Sequence, residues 1–258
     1  MLKESMDVAV VTGGGGEGSG SAIARRFARD GMLVLVCDID SSAGTATVQS
    51  IARAGGQASF CETDVRSRDQ VARAFAFAAN LGTVRVVVNN ASDVNSVDFD
   101  APLEHWDEII STDFLGAMWS TRLGIDAIRA GGGGAIVNVS STSAFRERSQ
   151  QGCPIYDVAK LAILRLSLRL QFLRTENVRV NCIIPHWIAV PSIVDYVCGL
   201  SQQERAQRRV PERLIPVNEI AEQVYRLATD TALAGQAIIW PNGGKPELYQ
   251  GQTESYLS

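Results

Sequence analysis

Tyr156 and Lys160 stand four residues apart in Tyr156-Asp157-Val158-Ala159-Lys160, a spacing that puts both side chains on one face of a helix. An ammonium beside a phenol stabilises phenolate and makes the tyrosine a usable general acid and base near neutral pH. The pattern Y-x-x-x-K is common in helices with structural roles, so it gains meaning only beside a second signal. That signal lies near the start of the chain, where an apolar run ends in Thr12-Gly13 and passes through Gly14, Gly15, Gly16, Glu17, Gly18, Ser19 and Gly20 into a helical pattern. Glycines let the backbone turn tightly and approach a pyrophosphate, while a helix N-terminus offers unpaired N–H groups and a positive dipole end. With so many glycines a match to G-x-G-x-x-G (Gly13, Gly15, Gly18) is nearly guaranteed by composition; the strand before it and the helix after it are what favour a nucleotide site over a plain turn. The next apolar run ends at Cys37-Asp38-Ile39-Asp40, eighteen residues past Gly20, where a carboxylate accepts bonds from an adenosine ribose. Asp38 would repel a 2′-phosphate and no Arg or Lys occupies the glycine loop, so NAD is expected over NADP. The plainer role for an acidic residue here is a helix cap, which Asp40 or Ser41 would fill equally well.

These residues need a scaffold, and the chain supplies a regular one. Short β-branched runs alternate with longer segments of helical period, the signature of a parallel sheet wound by crossover helices. Strands are expected at Val8 to Thr12, Leu33 to Cys37, Ala58 to Cys61, Val84 to Asn89, Ala135 to Val139, Val178 to Ile184 and Ala237 to Trp240. Helices are expected at Ser21 to Asp30, Ser42 to Ala54, Arg68 to Asn80, Leu103 to Ala130 with a break near Ser111, Tyr156 to Arg174, and Asn218 to Thr229. Neither an internal repeat nor a linker divides the 258 residues, so a single α/β domain with seven parallel strands is expected over 1–258. Residues 190–216, with Gln202, Gln203, Arg205, Arg208 and Arg209, interrupt the alternation and read as an insertion that covers a cleft.

Composition removes several classes of function. Lys and Arg total 24 against 28 Asp and Glu, a net charge of −4 with the basic residues scattered, which leaves no electrostatic footprint for nucleic acid. No apolar run approaches the roughly 18 residues of a membrane span, and MLKESM is no secretory signal, so a cytoplasmic protein is expected. Cys37, Cys61, Cys153, Cys182 and Cys198 are odd in number and mostly set in apolar runs, against a disulfide framework. His105 and His186 have no Cys pair or carboxylate at ligand spacing, so no metal is expected.

Taken together, the motifs resemble the short-chain dehydrogenase/reductase family over nearly the whole chain. Thr12 to Gly20 looks like its cofactor loop, Asp64-Val65 like its adenine contact, Asn89-Asn90-Ala91 like its strand-four signature and Ser140-Ser141 like its strand-five serine. Tyr156 and Lys160, then Arg179-Val180-Asn181, Pro185 and the closing Asn242-Gly243-Gly244, follow in family order. The resemblance implies a Rossmann-type fold and hydride transfer between NAD(H) and a secondary alcohol or ketone, with Tyr156 as general acid and base. Lys160 would bind the nicotinamide ribose and stabilise the Tyr156 phenolate, while Ser141, with Ser143 as second candidate, would hydrogen-bond the substrate oxygen. Gly13, Gly18, Ser19, Gly20, Asp38, Asp64, Val65, Asn90, Ala91, Pro185 and Ile188 would join Tyr156 and Lys160 in holding the cofactor. The resemblance also suggests a homo-oligomer, dimer or tetramer, packed through Leu103 to Ala130 and Tyr156 to Arg174. The apolar stripe Ala159, Ala162, Leu166, Leu170 would serve such packing or face its own sheet.

The chain also departs from that family. Four residues rather than three separate Gly13 from Gly18, Ser19 replaces an aliphatic residue, and Glu17 brings a charge that weakens pyrophosphate binding unless it points to solvent. Asp113, in Thr112-Asp113-Phe114-Leu115-Gly116, takes the place of a catalytic Asn. Its charge would favour protonated Lys160 but weaken the lysine's field on Tyr156, giving a more alkaline rate profile. Ser92 and His186 replace glycines and Val190 a threonine; His186 reads as an extra acid or base or, more simply, as a loop residue with a local hydrogen bond. Val94, Phe145, Trp187 and Tyr196 would line a mainly apolar substrate pocket, with Arg146, Glu147 and Arg148 at its mouth, which suits a cyclic or bulky alcohol or ketone. Two other readings stand beside the dehydrogenase: a relative catalysing a non-redox step, and a nucleotide-binding protein with little catalysis.

Overall fold

The computed structural model describes residues 5–93, 100–145, 153–208, 210–241 and 244–250. Val94, Arg146, Glu147, Arg148, Arg209, Asn242 and Gly243 lie outside them. One sheet organises the chain: β1 (Asp7–Thr12), β2 (Leu33–Asp38), β3 (Gln57–Glu62), β4 (Thr83–Asn89), β5 (Gly134–Val139), β6 (Val178–Pro185), β7 (Ala237–Trp240) and β8 (Glu247–Leu248). Their order is β3-β2-β1-β4-β5-β6-β7-β8. The first seven are parallel at the positions the apolar runs imply, and the eighth corrects the seven-stranded expectation by pairing antiparallel with β7 through Ile238↔Leu248 and Ile239↔Glu247. Two exposed residues, Glu247 and Leu248, carry no hydrophobic period from which such a strand can be read.

Alternation along β1 sets the two cores. Ala9 and Val11 pack with Ile23, Phe27, Val36 and Leu227 on one face, while Val8 and Val10 pack with Leu35, Phe75 and Ile128 on the other. The covering helices are α1 (Ser19–Arg29), α2 (Ser41–Arg53), α3 (Arg68–Leu81), α4 (Leu103–Ile110), α5 (Ala117–Ala130), α6 (Pro154–Arg169), α7 (Pro191–Gly199), α8 (Gln202–Gln207) and α9 (Val217–Thr229). The break expected near Ser111 is a π-helical turn, Ser111–Gly116, a device common at functional sites. Helix α6 stops at Arg169, short of the expected Arg174, and the chain continues as a 3-10 turn, Gln171–Glu176, ended by Asn177 at φ 58°. The α6 face turned inward is Ala159, Lys160, Ile163, Leu164 and Ser167, so only Ala159 of the expected apolar stripe is fully buried.

Strand order reverses at β1, which pairs with β2 on one side and β4 on the other, and ligands of open α/β sheets bind beyond the carboxyl ends of strands at such a reversal. The register pairs Thr12 with both Cys37 and Asn89. Gly13, Asp38 and Asn90, each one residue further on, are thereby brought to one edge.

Candidate active site

The glycine loop is built for close approach. Gly13 has φ 61°, and a Cβ there would lie 2.6 Å from Ala91 Cα; a Cβ on Gly20 would collide with the Gly13 carbonyl oxygen. Asn90 ties the loop down, its Nδ2 donating to the Gly13 carbonyl at 3.0 Å and its Oδ1 accepting from Ser19 Oγ at 2.8 Å. Ser19 thus replaces an apolar contact by a hydrogen bond to the strand-four motif. The extra residue is absorbed toward α2: the Gly14 N–H donates to the Cys37 carbonyl at 3.2 Å and the Gly16 N–H to the Ala43 carbonyl at 3.3 Å. Glu17 is exposed, the one circumstance in which its charge is tolerable.

Asp38 and Asp40 divide the two roles that the sequence leaves open. Asp40 caps α2, accepting from the N–H groups of Ser42 and Ala43 at 2.9 and 3.0 Å. Asp38 faces the cleft, with Oδ2 held by the Gly15 N–H at 2.8 Å and Oδ1 by the Asp40 N–H at 3.0 Å. The cleft, about 630 Å³, is lined by Gly13, Gly18, Ser19, Gly20, Asp38, Asp64, Val65, Asn90 and Ala91, with Val190 and Pro191 on its rim. Its size, its glycine floor and a carboxylate at the strand-two end fit a nicotinamide dinucleotide. Pro185 is buried at the end of β6 and Ile188 is half-buried, bridged to Ile215, and these two, like Tyr156 and Lys160, are not among the residues lining the cleft. Among the described residues one cation, absent from the glycine loop itself, lines the cleft: Arg66, whose Nη2 and Nε lie 2.9 and 3.0 Å from the two oxygens of the Asp64 carboxylate. Hydrogen bonding by Arg66 holds the Asp64 carboxyl below the usual carboxylate range.

Behind the cleft lies a buried ion pair. Lys160, 2% exposed, places Nζ 2.9 Å from Oδ1 of Asp113, 1% exposed, and 3.3 Å from the Val139 carbonyl. The same Nζ is 5.3 Å from the centre of the Tyr156 ring. Burial, the largest single influence, lowers the lysine pKa; the charges of Asp113 and Tyr156 and the Asp113 hydrogen bond together outweigh it, so the pKa is raised and the ammonium persists. Asp113 is therefore in direct contact with the lysine rather than merely near it. Asp113→Asn keeps an acceptor and removes the charge, leaving burial to dominate at Lys160 while freeing the ammonium's field to act on Tyr156. Both limbs of the pH–rate profile should move to lower pH, by about one unit, in steady-state assays from pH 6 to 10; an unmoved profile would refute this account of Asp113.

Ser140 is buried and spends its hydroxyl on the Lys160 carbonyl at 2.8 Å, fixing β5 to α6. Ser141 is half-buried, and its Oγ accepts from the Ser143 N–H at 3.2 Å; Ser143 is itself buried. The hydrogen bond of His186 is not local: Nδ1 lies 2.7 Å from Oγ1 of Thr142, 44 residues earlier and next to Ser141, so it joins the loops that follow β5 and β6. The expected substrate residues fall into two aromatic groups. Trp187 stacks on Tyr196 at 6.1 Å, and Phe145 stacks at 5.3 Å on Tyr249, a residue sequence reasoning did not single out.

A buried polar chain also escaped notice: Asn89 Nδ2 donates to Asn138 Oδ1 at 2.7 Å and to Thr121 Oγ1 at 2.9 Å, and Asn138 Nδ2 donates to Ser167 Oγ at 2.9 Å. It staples β4, α5, β5 and α6, the elements that carry the site. Arg179 and Asn181 are structural, donating to the Leu227 and Leu233 carbonyls at the end of α9 and beyond it. Among the described residues no cluster of His, Cys, Asp and Glu is arranged to hold a metal ion, and no helix is long and apolar enough to cross a membrane.

Comparison with known proteins agrees with this architecture. The family described as short chain dehydrogenase matches residues 7–195. A 7α-hydroxysteroid dehydrogenase of Escherichia coli K12 is 30% identical over 244 residues, covering 93% of this chain and 94% of its own. A 3-oxoacyl-[acyl-carrier-protein] reductase of Chlamydia muridarum is 35% identical over 241 residues, covering 89% of this chain and 94% of its own. A variant of actinorhodin polyketide ketoreductase crystallised with NADPH superposes with a TM-score of 0.83 at 27% identity, covering 94% of this chain and 98% of the other. The fold and site define a Rossmann-type oxidoreductase. The chain belongs to the short-chain dehydrogenase/reductase family.

Proposed function

We propose that the protein is an NAD-dependent dehydrogenase or reductase of a secondary alcohol or ketone, with Tyr156 as its general acid and base. The observation that carries this reading is the buried Lys160 ammonium beneath the Tyr156 ring, joined through Asp113 to Ser92, which lines a cleft floored by glycines. When bound, the nicotinamide supplies or accepts the hydride. Tyr156 gives a proton to the carbonyl oxygen in reduction and takes it from the hydroxyl in oxidation; the Lys160 charge stabilises the phenolate that each cycle forms. Ser141 donates a hydrogen bond to the same oxygen, since its Oγ already accepts one from Ser143 and its own proton remains to be given.

The preference for NAD rests on Asp38, fixed by two backbone N–H groups, and on Arg66 being engaged by Asp64 rather than open to a phosphate. On the substrate side, Trp187, Tyr196 and Phe145 favour a bulky, largely apolar molecule. Residues 190–216 act as its cover. Their base is pinned at Ile215, whose N–H donates to the Trp187 carbonyl and whose carbonyl accepts from Ala189, both at 2.8 Å. Val158 and Leu161, 56% and 47% exposed on α6, suit burial against a second copy, which sedimentation would detect.

The direct test incubates purified protein and NADH with cyclic and aryl ketones and follows NADH oxidation together with product. Stoichiometric alcohol is the expected result. Product formed without net NADH change would instead establish a non-redox enzyme, and bound NADH with no product from any ketone would leave a binding protein.

A further inference from the structure

Ser92 and Asp113 both depart from the family pattern, and in the folded chain they touch. Ser92 follows the strand-four motif Asn89-Asn90-Ala91, whereas Asp113 sits in the π-helical turn, so the contact joins two elements. The Ser92 hydroxyl donates to Asp113 Oδ1, and the Asp93 backbone N–H donates to Oδ2 at 3.0 Å. Each carboxylate oxygen is thus held by one residue of the same short loop, which fixes the plane of the group. Lys160 Nζ then approaches Oδ1, the oxygen that Ser92 holds, at 2.9 Å. In a site this buried the strength of an ion pair depends steeply on alignment, because water cannot compensate a misplaced charge.

We propose that Ser92 is a positioning residue: its hydroxyl holds the Asp113 carboxylate in the orientation that pairs with Lys160, and so sets the proton affinity of the lysine beside Tyr156. Other groups face the pair without replacing this function. Tyr156 presents its ring from α6, and Cys182 on β6 has its thiol pushed up to about 12 by burial and stays neutral. Asp93 contributes a backbone N–H, and β5 contributes the Val139 carbonyl. Ser92 also lines the cofactor cleft, so the residue that aligns the buried pair is open to whatever the cleft holds. The pairing stands on geometry alone; its catalytic consequence rests on the role proposed for Tyr156.

The chain contains only three lysines, Lys3, Lys160 and Lys245, so protein labelled with ¹³C-lysine gives few side-chain signals, and Lys160→Met assigns the relevant one. Its titration is followed by NMR in the full chain without substrate or cofactor. Ser92→Ala should lower the midpoint by about one pH unit, the worth of a hydrogen bond to a charged group. Ser92→Thr, which restores a hydroxyl, should return it toward the original value. Asp113→Asn should lower it further, and adding Ser92→Ala to that variant should change nothing more. A midpoint in Ser92→Ala that stays or rises, or effects of the two substitutions that simply add, would overturn the proposal. Because the readout needs no turnover, a negative result leaves the dehydrogenase reading standing, and a protein that titrates as expected but reduces no ketone would fail that reading alone.

Discussion

Tyr156→Phe should lower turnover by about 10³-fold, within the range that a positioned general acid and base contributes, while NADH still binds. The substitution is conservative in every respect except the one at issue. Phe keeps the ring that the Lys160 ammonium approaches at 5.3 Å, and the Lys160–Asp113 pair is made without the phenolic oxygen. The packing of α6 should therefore survive, which an unchanged unfolding midpoint would show. What disappears is the group that exchanges a proton with the substrate oxygen. On the proposed mechanism Ser141 would still donate to that oxygen and account for the residual rate. Turnover by Tyr156→Phe within tenfold of the wild type would remove Tyr156 from the chemistry and leave Ser141 or the half-buried His186 as the proton donor to examine. Measuring cofactor binding in the same variant separates the two failures: lost binding would mean a disturbed site, retained binding with lost turnover a missing acid.

The glycine-lined edge of the cleft was legible in the sequence because its pattern is local. A strand, a glycine run and a helix follow one another within residues 7–29, and Asp38 ends the next strand, so spacing alone places them at one sheet edge. The proximity of Tyr156 and Lys160 was legible for the same reason, the two lying one helical turn apart. What was not legible depends on contacts between distant segments that carry no period. Ser92 and Asp113 are 21 residues apart on different elements, and nothing in either local pattern implies that one hydroxyl meets one carboxylate. Asn89, Thr121, Asn138 and Ser167 stand on four different elements with no shared sequence pattern; only the fold joins them into one chain. Arg66 lies two residues beyond Asp64 and was not singled out, because whether its guanidinium serves the cleft or the carboxylate is decided by geometry. Strand β8 and Tyr249 escaped because a two-residue strand has no alternation and an aromatic near a chain end has no partner until the chain is folded.

The second large effect concerns Asp38 and the choice between dinucleotides. In calorimetric titrations the wild type should bind NADH at least about tenfold more tightly than NADPH, a difference of about 1.4 kcal/mol. The sign follows from charge. A 2′-phosphate placed at the strand-two end meets a carboxylate whose two oxygens are pinned by the Gly15 and Asp40 N–H groups, so it cannot swing away. At about 4 Å and an effective dielectric constant near 20, each pair of like charges costs about 4 kcal/mol before screening, well above the preference required. Among the described residues, Arg66 is the only side chain lining the cleft with a charge to offset this, and its guanidinium is matched against Asp64 in a two-point contact. Asp38→Asn isolates the charge, because the amide oxygen still accepts one of the two backbone bonds. NADPH affinity should rise at least about tenfold while NADH affinity falls by a similar factor, since the ribose hydroxyls then bond a neutral acceptor. Equal binding of the two cofactors by the wild type would mean that Arg66 leaves Asp64 to meet the phosphate. In that event Arg66→Met, rather than Asp38→Asn, would be the substitution that changes cofactor choice, and the NAD assignment would be withdrawn.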